Sequence, residues 1–367
     1  MVAVADTSLA RIVAQGLVPL TRGSNPVAAV ELLLAVQGQM AGAIPWAIGA
    51  RCTAVTRAQV AESFQSGELV RSWPMRDTLH VTSARDHHWL RRLLRHRYAS
   101  WIRQSTGLGL SDALVEKAAA AVFELLGENP SGVSRGEVIR AWDEAGIATV
   151  TSGAGGGVRR RHLIKRLFLD GLLVSGPLRG GEHLIVDARQ LPGAPGVAKG
   201  ECGHEEALAL LAARYAWGHG PVDAADLARW AGLTLTEARR ALAGSAQIGE
   251  SIGRPLISRE GRVARADIDD LVERSRDEAR AVFALPSFDE LHVGYRDRSC
   301  LTDRAGEALI CPGANGMFRP IVVANGRVVA ARSPGGELTF TEEGSSYAQE
   351  AQREMARWGD WLFEKRH

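Results

Sequence analysis

The sequence predicts an α+β protein built from three tandem winged-helix units, followed by a β-hairpin region near the C-terminus. One pattern recurs three times: helical segments with capping residues, then two short alternating segments joined by a turn. At 367 residues the chain is longer than one ordinary domain. Its composition, 46% hydrophobic but only 6% aromatic, is typical of a folded, helix-rich protein. We place the boundaries at residues 1–105, 106–197, 198–275 and 276–367.

The first unit is predicted to hold four helices and one hairpin. Capping residues and breakers place the helices at residues 8–16, from Asn25-Pro26 onward, at 57–65 and at 84–98. Alternating apolar residues at 69–73 and 78–81 predict the two strands of the wing. Within the last helix, the adjacent His87 and His88 are expected at the surface.

The second and third units repeat this order. In the second unit, Ser111 and the Ser134/Glu137 capping box begin two helices, and a basic helix follows over residues 158–170. Strands are expected at 172–174 and 183–186. In the third unit, the segments 223–231 and 236–243 have the clearest helix-turn-helix spacing in the chain. The segments 256–257 and 262–263 would form its wing.

The last region is predicted to be rich in strands. They are expected at residues 281–295, 308–311, 318–323 and 327–331, and a final helix at 342–363. Asn325-Gly326 is a strong signal for a two-residue hairpin turn.

Composition and charge exclude several classes of protein. The start of the chain has no signal-peptide pattern, and no apolar stretch is long enough to span a bilayer. The four cysteines are far apart, without the spacing of a zinc site. We therefore expect a cytoplasmic, nucleoid-associated monomer without a metal or cofactor. Residues 1–200 carry 23 basic and 16 acidic side chains, a net charge of +7, whereas the remainder has a net charge of −5. A basic first half can attract a polyanion.

Gln37 is the most informative polar residue. The apolar residues Val30, Leu33 and Leu34 predict one face of a helix, and Gln37 falls on that face one turn later. Gly38 is interpreted as a helix stop that lets Gln39 converge with Gln37 on one site. The alternative is a buried glutamine that satisfies loose carbonyl groups at the helix end.

Two basic clusters predict contacts with phosphates. The alternative for each cluster is a solvated helix face with local salt bridges. The first cluster comprises Arg91, Arg92, Arg95, His96, Arg97 and Arg103, and the second comprises Arg159, Arg160, Arg161, Lys165 and Arg166. Within the second, Arg159, His162 and Arg166 share one helical face.

The segment Asn315–Arg332 is predicted to be a basic hairpin with an apolar tip. It carries Met317 and Phe318 beside Arg319, a combination that can enter a DNA groove and unstack a base step. The alternative is an ordinary sheet edge.

Several motifs together resemble the AlkZ-type DNA glycosylases. They follow the family's order along the chain: Gln37-Gly38-Gln39, the stretch from Leu69 to His80, Phe288-Asp289-Glu290, the stretch from Gly294 to Ser299, Asn315 to Pro320, and Asn325 to Val329. The family has a Gln-aliphatic-Gln catalytic motif in members that unhook crosslinks, and Gln-aliphatic-Asp in a broader branch. This chain resembles the first group, although Gly38 replaces the aliphatic residue and Asp77 stands where the family has glycine.

The resemblance implies three winged helices in a C-shaped arrangement around duplex DNA. It implies excision of N7-alkylated guanines and the unhooking of interstrand crosslinks made by natural products such as azinomycin, hence self-resistance. Gln37 and Gln39 would be catalytic, and no cofactor would be needed. Further DNA contacts would come from Arg296, Arg298, Asn315, Phe318 and Arg319.

The chemistry that the family implies agrees with these residue types. N7-alkylation makes the purine cationic, so it leaves as a neutral base without protonation by a strong acid. A glutamine is a poor base but can orient water. The competing hypotheses are a winged-helix regulator or lesion-binding protein without enzymatic activity, and an array whose wings bind protein. A regulator would prefer one DNA sequence, whereas a glycosylase would prefer a lesion in any sequence.

Overall fold

The computed structural model describes residues 4–147, 156–192 and 203–363. The chain divides into two compact units. The first comprises the residues up to Val60 together with those from Gly203 onward, and the second comprises the residues from Ala61 to Cys202. The first unit is therefore discontinuous in sequence. The finer division at residues 105, 197 and 275 stays a prediction.

The N-terminal part of the first unit is helical. It contains α1 (Val4–Ala14), α2 (Pro26–Leu33), the two-residue strand β1 (Val36–Gln37), α3 (Ile44–Gly49) and α4 (Arg57–Gln65), whose last residues belong to the second unit. Asn25 caps α2 as predicted, accepting from the Ala28 N–H at 2.9 Å. The bounds predicted for α4 are confirmed.

In its described residues, the second unit combines helices with a sheet. Its elements are β2 (Leu69–Met75), β3 (Thr78–Ser83), α5 (Ala84–Leu94), α6 (Ala99–Gly107), α7 (Asp112–Glu128), α8 (Arg135–Glu144), α9 (Gly156–Leu169), β4 (Leu173–Arg179) and β5 (Glu182–Asp187). The two hairpins join in the antiparallel order β3-β2-β4-β5. The capping box of Ser134 and Glu137 is present at α8. Both hairpins and all the predicted helices of this region are confirmed.

The turn of the first hairpin accommodates the aspartate at position 77. Arg76 and Asp77 both have positive φ values, 54° and 61°, and Met75 pairs with Thr78 across them. Such a two-residue turn requires left-handed backbone at both residues. Glycine and aspartate both tolerate this conformation at the second position. Asp77 also forms an ion pair with Lys165. The departure from glycine therefore leaves this wing intact.

The C-terminal part of the first unit begins with three helices and a hairpin. These are α10 (His204–His219), α11 (Ala224–Ala231), α12 (Leu235–Ser251), β6 (Leu256–Arg259) and β7 (Arg262–Arg265). Asp223 and Thr234 each form a capping box, and Gly232 ends α11 with a left-handed φ of 72°. This confirms the predicted pair of helices, with α12 extending beyond its predicted end.

The remainder of the first unit departs most from the prediction. It contains α13 (Ile268–Arg274), α14 (Arg276–Arg280), β8 (Phe283–Leu285), α15 (Glu290–Val293), α16 (Arg304–Ile310), β9 (Ile321–Ala324), β10 (Arg327–Arg332), β11 (Leu338–Phe340) and α17 (Ala348–Phe363). The strands form one sheet in the order β11-β10-β9-β8.

Two predicted strands are wrong. Residues 308–311 belong largely to α16, because Asp303 caps that helix by accepting from the Gly306 N–H at 2.8 Å. Only three residues of the segment 281–295 form a strand, because Asp289 caps α15. The hairpin is also shorter than predicted: its strands are β9 and β10, and Asn325 and Gly326 form the turn with φ values of 50° and 75°.

Each unit has its own apolar core. In the first, the sheet of β8 to β10 packs with α1, α13 and Trp358 of α17. In the second, α7, α8 and α9 pack around Trp142, which is fully buried and donates to the Ala118 carbonyl at 3.0 Å. In the part of the chain that the structure describes, no helix meets the length and apolarity needed to cross a bilayer.

His87 is buried, so its predicted place at the surface is wrong. Its side chain is fully buried in α5, and its ring lies 5.0 Å from that of His88. Neither ring nitrogen has a hydrogen-bond partner among the described residues. Burial lowers the pKa of His87 well below its ordinary value of 6.5.

The buried imidazole predicts a loss of stability in acid. Below about pH 6.5 the unfolded chain binds a proton at His87, whereas the folded chain does not. The free energy of unfolding is therefore highest above about pH 6.5 and decreases as the pH falls below it. Replacing His87→Leu should reduce this slope by up to about 1.4 kcal/mol per pH unit. Urea denaturation at about pH 7.5 and about pH 5.5 measures the slope. His204→Leu, at an exposed histidine, is the control; a slope for His87→Leu equal to that of the parent would refute the prediction.

Candidate functional site

Gln37 lies in extended backbone. The prediction that it continues the apolar face of a helix is wrong, because α2 ends at Leu33 and Leu34 has a positive φ of 66°. The chain then passes through the buried Ala35 and Val36 into β1. The helical periodicity of the apolar residues thus extends beyond the helix itself.

The spacing of Gln37 and Gln39 has a different meaning in this backbone. Residues two apart lie on opposite faces of a helix but point to the same side of an extended chain. Gln37 is half-buried and Gln39 is exposed, with the buried Gly38 between them. Because the strand ends at Gln37 and Gln39 lies in a bend two residues later, the convergence of the two amides stays a prediction.

A buried carboxylate holds the main chain of Gln37. The Gln37 N–H donates to Glu290 Oε1 at 2.8 Å, across 253 positions of sequence. Glu290 is fully buried at the first position of α15. Its Oε2 accepts from the indole N–H of Trp230 at 3.0 Å and lies 3.4 Å from His219 Nε2. Residues from four elements, β1, α10, α11 and α15, therefore meet at one carboxylate.

The side-chain amide of Gln37 is not used by this anchor. Its Oε1 is buried and has no hydrogen-bond partner among the described residues. Leaving such a group unsatisfied costs about 1–3 kcal/mol. A water molecule or ligand that donates to this oxygen would recover that free energy.

A fully buried ion pair fixes the segment that carries Glu290. Arg51 donates to both carboxylate oxygens of Asp289 at 2.8 Å, and neither side chain is exposed. Arg51 also donates to Gln15 Oε1 at 2.7 Å, and Gln15 donates to the Tyr295 hydroxyl at 2.8 Å. Burial lowers the pKa of Arg51, but the Asp289 carboxylate more than offsets this, so the pKa is raised. The guanidinium is charged and its position is set by several partners.

A second buried ion pair joins α1 to α11. Arg11 donates to Asp226 Oδ2 at 3.0 Å and lies 3.8 Å from the centroid of the Tyr295 ring. The other oxygen of Asp226 accepts from the main-chain N–H groups of Arg296 and Asp297, at 2.8 and 3.2 Å. Arg296, a predicted DNA contact, is therefore held by its backbone while its side chain is exposed.

His292 connects α15 to the loop before β9. Its Nε2 lies 3.0 Å from Glu307 Oε1, which also lies 3.1 Å from Arg298 Nε. Phe318 packs edge-on against His292 and Phe288, with ring centroids 5.0 and 5.5 Å apart. Two predicted DNA contacts, Arg298 and Phe318, are thus positioned through the same short helix that holds Gln37.

The loop itself carries the other predicted contacts of this region. Asn315 is exposed, and its Oδ1 accepts from the N–H of Met317, whose side chain is 57% exposed. Arg319 is half-buried, and its N–H donates to the last carbonyl of α16 at 2.9 Å. Asn315, Phe318 and Arg319 therefore lie in a loop anchored to α15, and the prediction that they belong to the hairpin is wrong.

Comparisons with known proteins identify the family and the fold. The family model for AlkZ-like DNA glycosylases matches residues 30–357. The chain belongs to the AlkZ-like DNA glycosylase family. A solved structure, Streptomyces sahachiroi DNA glycosylase AlkZ, is similar in fold, with a TM-score of 0.66 and 19% sequence identity over 96% of this chain and 95% of that chain. The comparison of this chain with curated proteins found no match.

Family membership confirms the resemblance found in the sequence. It places the chain among DNA glycosylases, enzymes of DNA repair, so its substrate is DNA. The matched residues include Gln37, Glu290 and the loop around Asn315. The roles of the individual side chains stay predictions.

Several of the predicted phosphate contacts in the second unit of this glycosylase have partners within the protein, including Lys165 through its ion pair with Asp77. Arg166 pairs with Asp112 at 2.8 Å and with Asp170 at 2.7 Å. Arg95 pairs with Asp170 at 2.5 Å, and Arg91 donates to the last carbonyl of α9 at 2.7 Å. Arg91 and Arg95 therefore link the C-terminal end of α9 to α5 and the turn that follows it, and Arg166 links α9 to α7.

Other predicted contacts of this unit lie on α5 and near the start of α9. Arg92 is exposed, and Arg159 and Arg160 are half-buried near the start of α9. His162 stacks on Trp101, with ring centroids 4.7 Å apart. On the predicted face at 159, 162 and 166, His162 has a ring contact and Arg166 has two ion pairs, whereas Arg159 has neither among the described residues. Arg159 is therefore the best of the three to test.

The residues that hold Gln37 were the hardest to predict. In the sequence, Glu290 is recognisable only as part of a family motif, and no pattern identifies Trp230 or His219. The available signal was the acidic pair Asp289-Glu290 directly after an apolar strand. One member of such a pair caps the next helix, and the other needs a buried partner.

The site offers hydrogen bonds and a carboxylate. Burial lowers the pKa of His219 below its ordinary value of 6.5 and raises the pKa of Tyr295, so the imidazole is neutral and the phenol protonated at pH 7. Among the described residues, no three His, Cys, Asp or Glu side chains cluster as a metal site would require. The arrangement is suited to positioning a neutral amide.

Breaking the buried ion pair should destabilise the protein strongly. Asp289→Asn leaves the Arg51 charge buried without its partner, a loss of about 3–5 kcal/mol. Replacing both residues, in Arg51→Met/Asp289→Leu, should recover part of that loss because no charge then remains buried. Urea denaturation measures the free energy of unfolding of each variant.

An exposed pair provides the control. Asp270 and Arg274 are 66% and 57% exposed and lie 3.2 Å apart. Asp270→Asn should change stability by no more than about 1 kcal/mol. If Asp289→Asn costs no more than Asp270→Asn, the pair does not hold this segment.

Proposed function

We propose that this glycosylase excises N7-alkylated purines from duplex DNA, with Gln37 and Gln39 orienting the attacking water. The observation that carries the proposal is the state of Gln37: its main chain is fixed by Glu290, while its buried Oε1 has no partner among the described residues. A fixed amide with an unused acceptor can hold a water molecule in one orientation.

The leaving group explains why an amide suffices. Alkylation at N7 makes the purine cationic, so the base leaves as a neutral molecule when the bond to C1′ breaks. The water then adds to C1′, which has oxocarbenium character, and its proton passes to solvent. With water as the nucleophile, the enzyme is monofunctional and leaves an abasic site in an intact strand.

The same reaction can act on interstrand crosslinks. A crosslink attached through N7 of guanine makes each attached base cationic, so cleaving one glycosidic bond releases one strand. Unhooking therefore needs no further catalytic group, only room for a bulky lesion. Azinomycin-type crosslinks belong to this substrate class.

The rest of the fold supports binding to duplex DNA. Three hairpins, β2–β3, β4–β5 and β6–β7, follow helices in the order expected of a winged helix, and a short turn joins α11 to α12, as the helix-turn-helix interpretation requires. We interpret these elements as DNA-binding units. Arg92, Arg159 and Arg160 in the second unit and the loop at Asn315 in the first would contact the duplex.

Replacing either catalytic amide should reduce excision and leave binding intact. Gln37→Ala and Gln39→Ala should each slow release of N7-methylguanine by about 10- to 1000-fold, because an oriented water accounts for only part of the rate enhancement. Single-turnover release from a duplex with one N7-methylguanine gives the rate, and alkali-dependent strand cleavage gives the abasic product. Fluorescence anisotropy gives the affinity for DNA.

The matched control is Gln352→Ala, at an exposed glutamine on α17. It should release the base at the parent rate. Release at the parent rate by both Gln37→Ala and Gln39→Ala would exclude these residues from catalysis. A parent protein that releases no alkylated purine would refute the proposed reaction itself.

Arg159 and Arg160 should contribute electrostatically to DNA binding. Arg159→Ala/Arg160→Ala should weaken binding to any duplex and reduce the slope of log K against log salt by about 1–2, since each lost phosphate contact removes about 0.9. Arg353→Ala, at an exposed arginine on α17, is the control for a change in net charge. An unchanged slope in the double variant would show that these two residues do not contact phosphates.

A further inference from the structure

The strongest unassigned group in the first unit is the carboxylate of Glu290. It is fully buried, and its two oxygens face three groups from distant parts of the chain. Oε1 accepts from Gln37, and Oε2 accepts from Trp230 and lies next to His219. Burying a carboxylate is costly unless hydrogen bonds compensate it. Because its burial is costly and it lies beside the candidate catalytic residue Gln37, the Glu290 side chain is a candidate for a functional role.

We propose that Glu290 is a positioning residue for Gln37, and that it fixes the amide relative to the helix-turn-helix of α11 and α12. The proposal rests on the function proposed above. Glu290 makes no contact with the reacting atoms in this scheme. It acts through the main chain of Gln37, and the indole of Trp230 on α11 fixes the carboxylate in turn.

The geometry supports this role in three ways. First, the 2.8 Å contact is a short hydrogen bond to a fully buried acceptor, so no water competes with the Gln37 N–H for it. Second, β1 is only two residues long, so few other ladder bonds can hold it. Third, Asp289 next in sequence is locked by Arg51, which limits the movement of Glu290.

Trp230 extends the restraint to the helix-turn-helix. Its side chain is fully buried and stacks on Tyr215, with ring centroids 4.7 Å apart. The indole N–H is therefore held in one direction and donates to Glu290 at 3.0 Å. A displacement of α11 would move the carboxylate and, through it, Gln37. Binding of DNA by α12 and the placement of the amide thus share one anchor.

The test is a double-mutant cycle between Glu290→Gln and Gln37→Ala. In Glu290→Gln the amide has one acceptor oxygen, so it cannot accept from both Gln37 and Trp230 as the carboxylate does. We expect kcat to fall about 10- to 100-fold with KM within about twofold. In the Gln37→Ala background the same change should have little further effect, because Glu290 acts through Gln37.

Further variants separate positioning from folding. Trp230→Phe keeps the aromatic ring but loses the N–H, and it should reduce kcat less than Glu290→Gln does. Glu273→Gln, at an exposed carboxylate in an i,i+3 pair with Arg276, should leave kcat unchanged. Thermal unfolding identifies any variant that loses activity because it unfolds. Equal losses from Glu290→Gln in the parent and Gln37→Ala backgrounds would overturn the proposal.

A measurement on the main chain keeps the proposal independent of activity. Hydrogen exchange of the Gln37 amide should be slow in the parent and at least about tenfold faster in Glu290→Gln, because the Gln37 N–H and the Trp230 indole then compete for a single acceptor oxygen. Unchanged exchange would overturn the anchoring role even if the enzyme is active. Protection of this amide in a protein that releases no base would instead refute the proposed function and retain the anchor.

Discussion

The ion pair between Arg51 and Asp289 is the constraint on which the rest of the site depends. Both side chains are fully buried, so each would be strongly unfavourable without the other. The two terminal nitrogens of the guanidinium donate four hydrogen bonds, two to Asp289, one to Gln15 and one to the carbonyl of Ala47, while Nε has no partner among the described residues. This geometry permits little rotation or translation. It therefore determines where the backbone at residue 289 lies, and with it the start of α15.

The side chains that follow in this segment make different contacts. Asp289 caps α15 and binds Arg51, Glu290 holds the main chain of Gln37, and His292 contacts Glu307 and Phe318. Phe288, with a φ of 62°, begins this segment in a conformation that is unfavourable for a phenylalanine. Strain at such a residue persists only where the surroundings determine the backbone, as the buried pair does here.

Local rules predicted much of the fold but little of the site. Capping residues placed α4, α7 and α8 within a few residues, and Asn325-Gly326 identified its turn, because these signals act over three or four positions. The same rules failed at Leu34, where buried apolar residues continue a helical pattern through an extended backbone. They failed again at 308–311, where the cap at Asp303 outweighs the apolar run. The contact between Gln37 and Glu290 could not be read from spacing, because it joins residues 253 positions apart.

The discontinuity of the first unit has a consequence for synthesis of the chain. Arg51 leaves the ribosome long before Asp289 exists, and the whole second unit is made between them. Domains generally fold as units during translation, the earlier ones first. The inserted unit can therefore form its core while the N-terminal helices still lack the partners that would bury their charges. Until Asp226 and Asp289 have been synthesised, the N-terminal segment carries Arg11 and Arg51 without the carboxylates that pair with them in the folded protein.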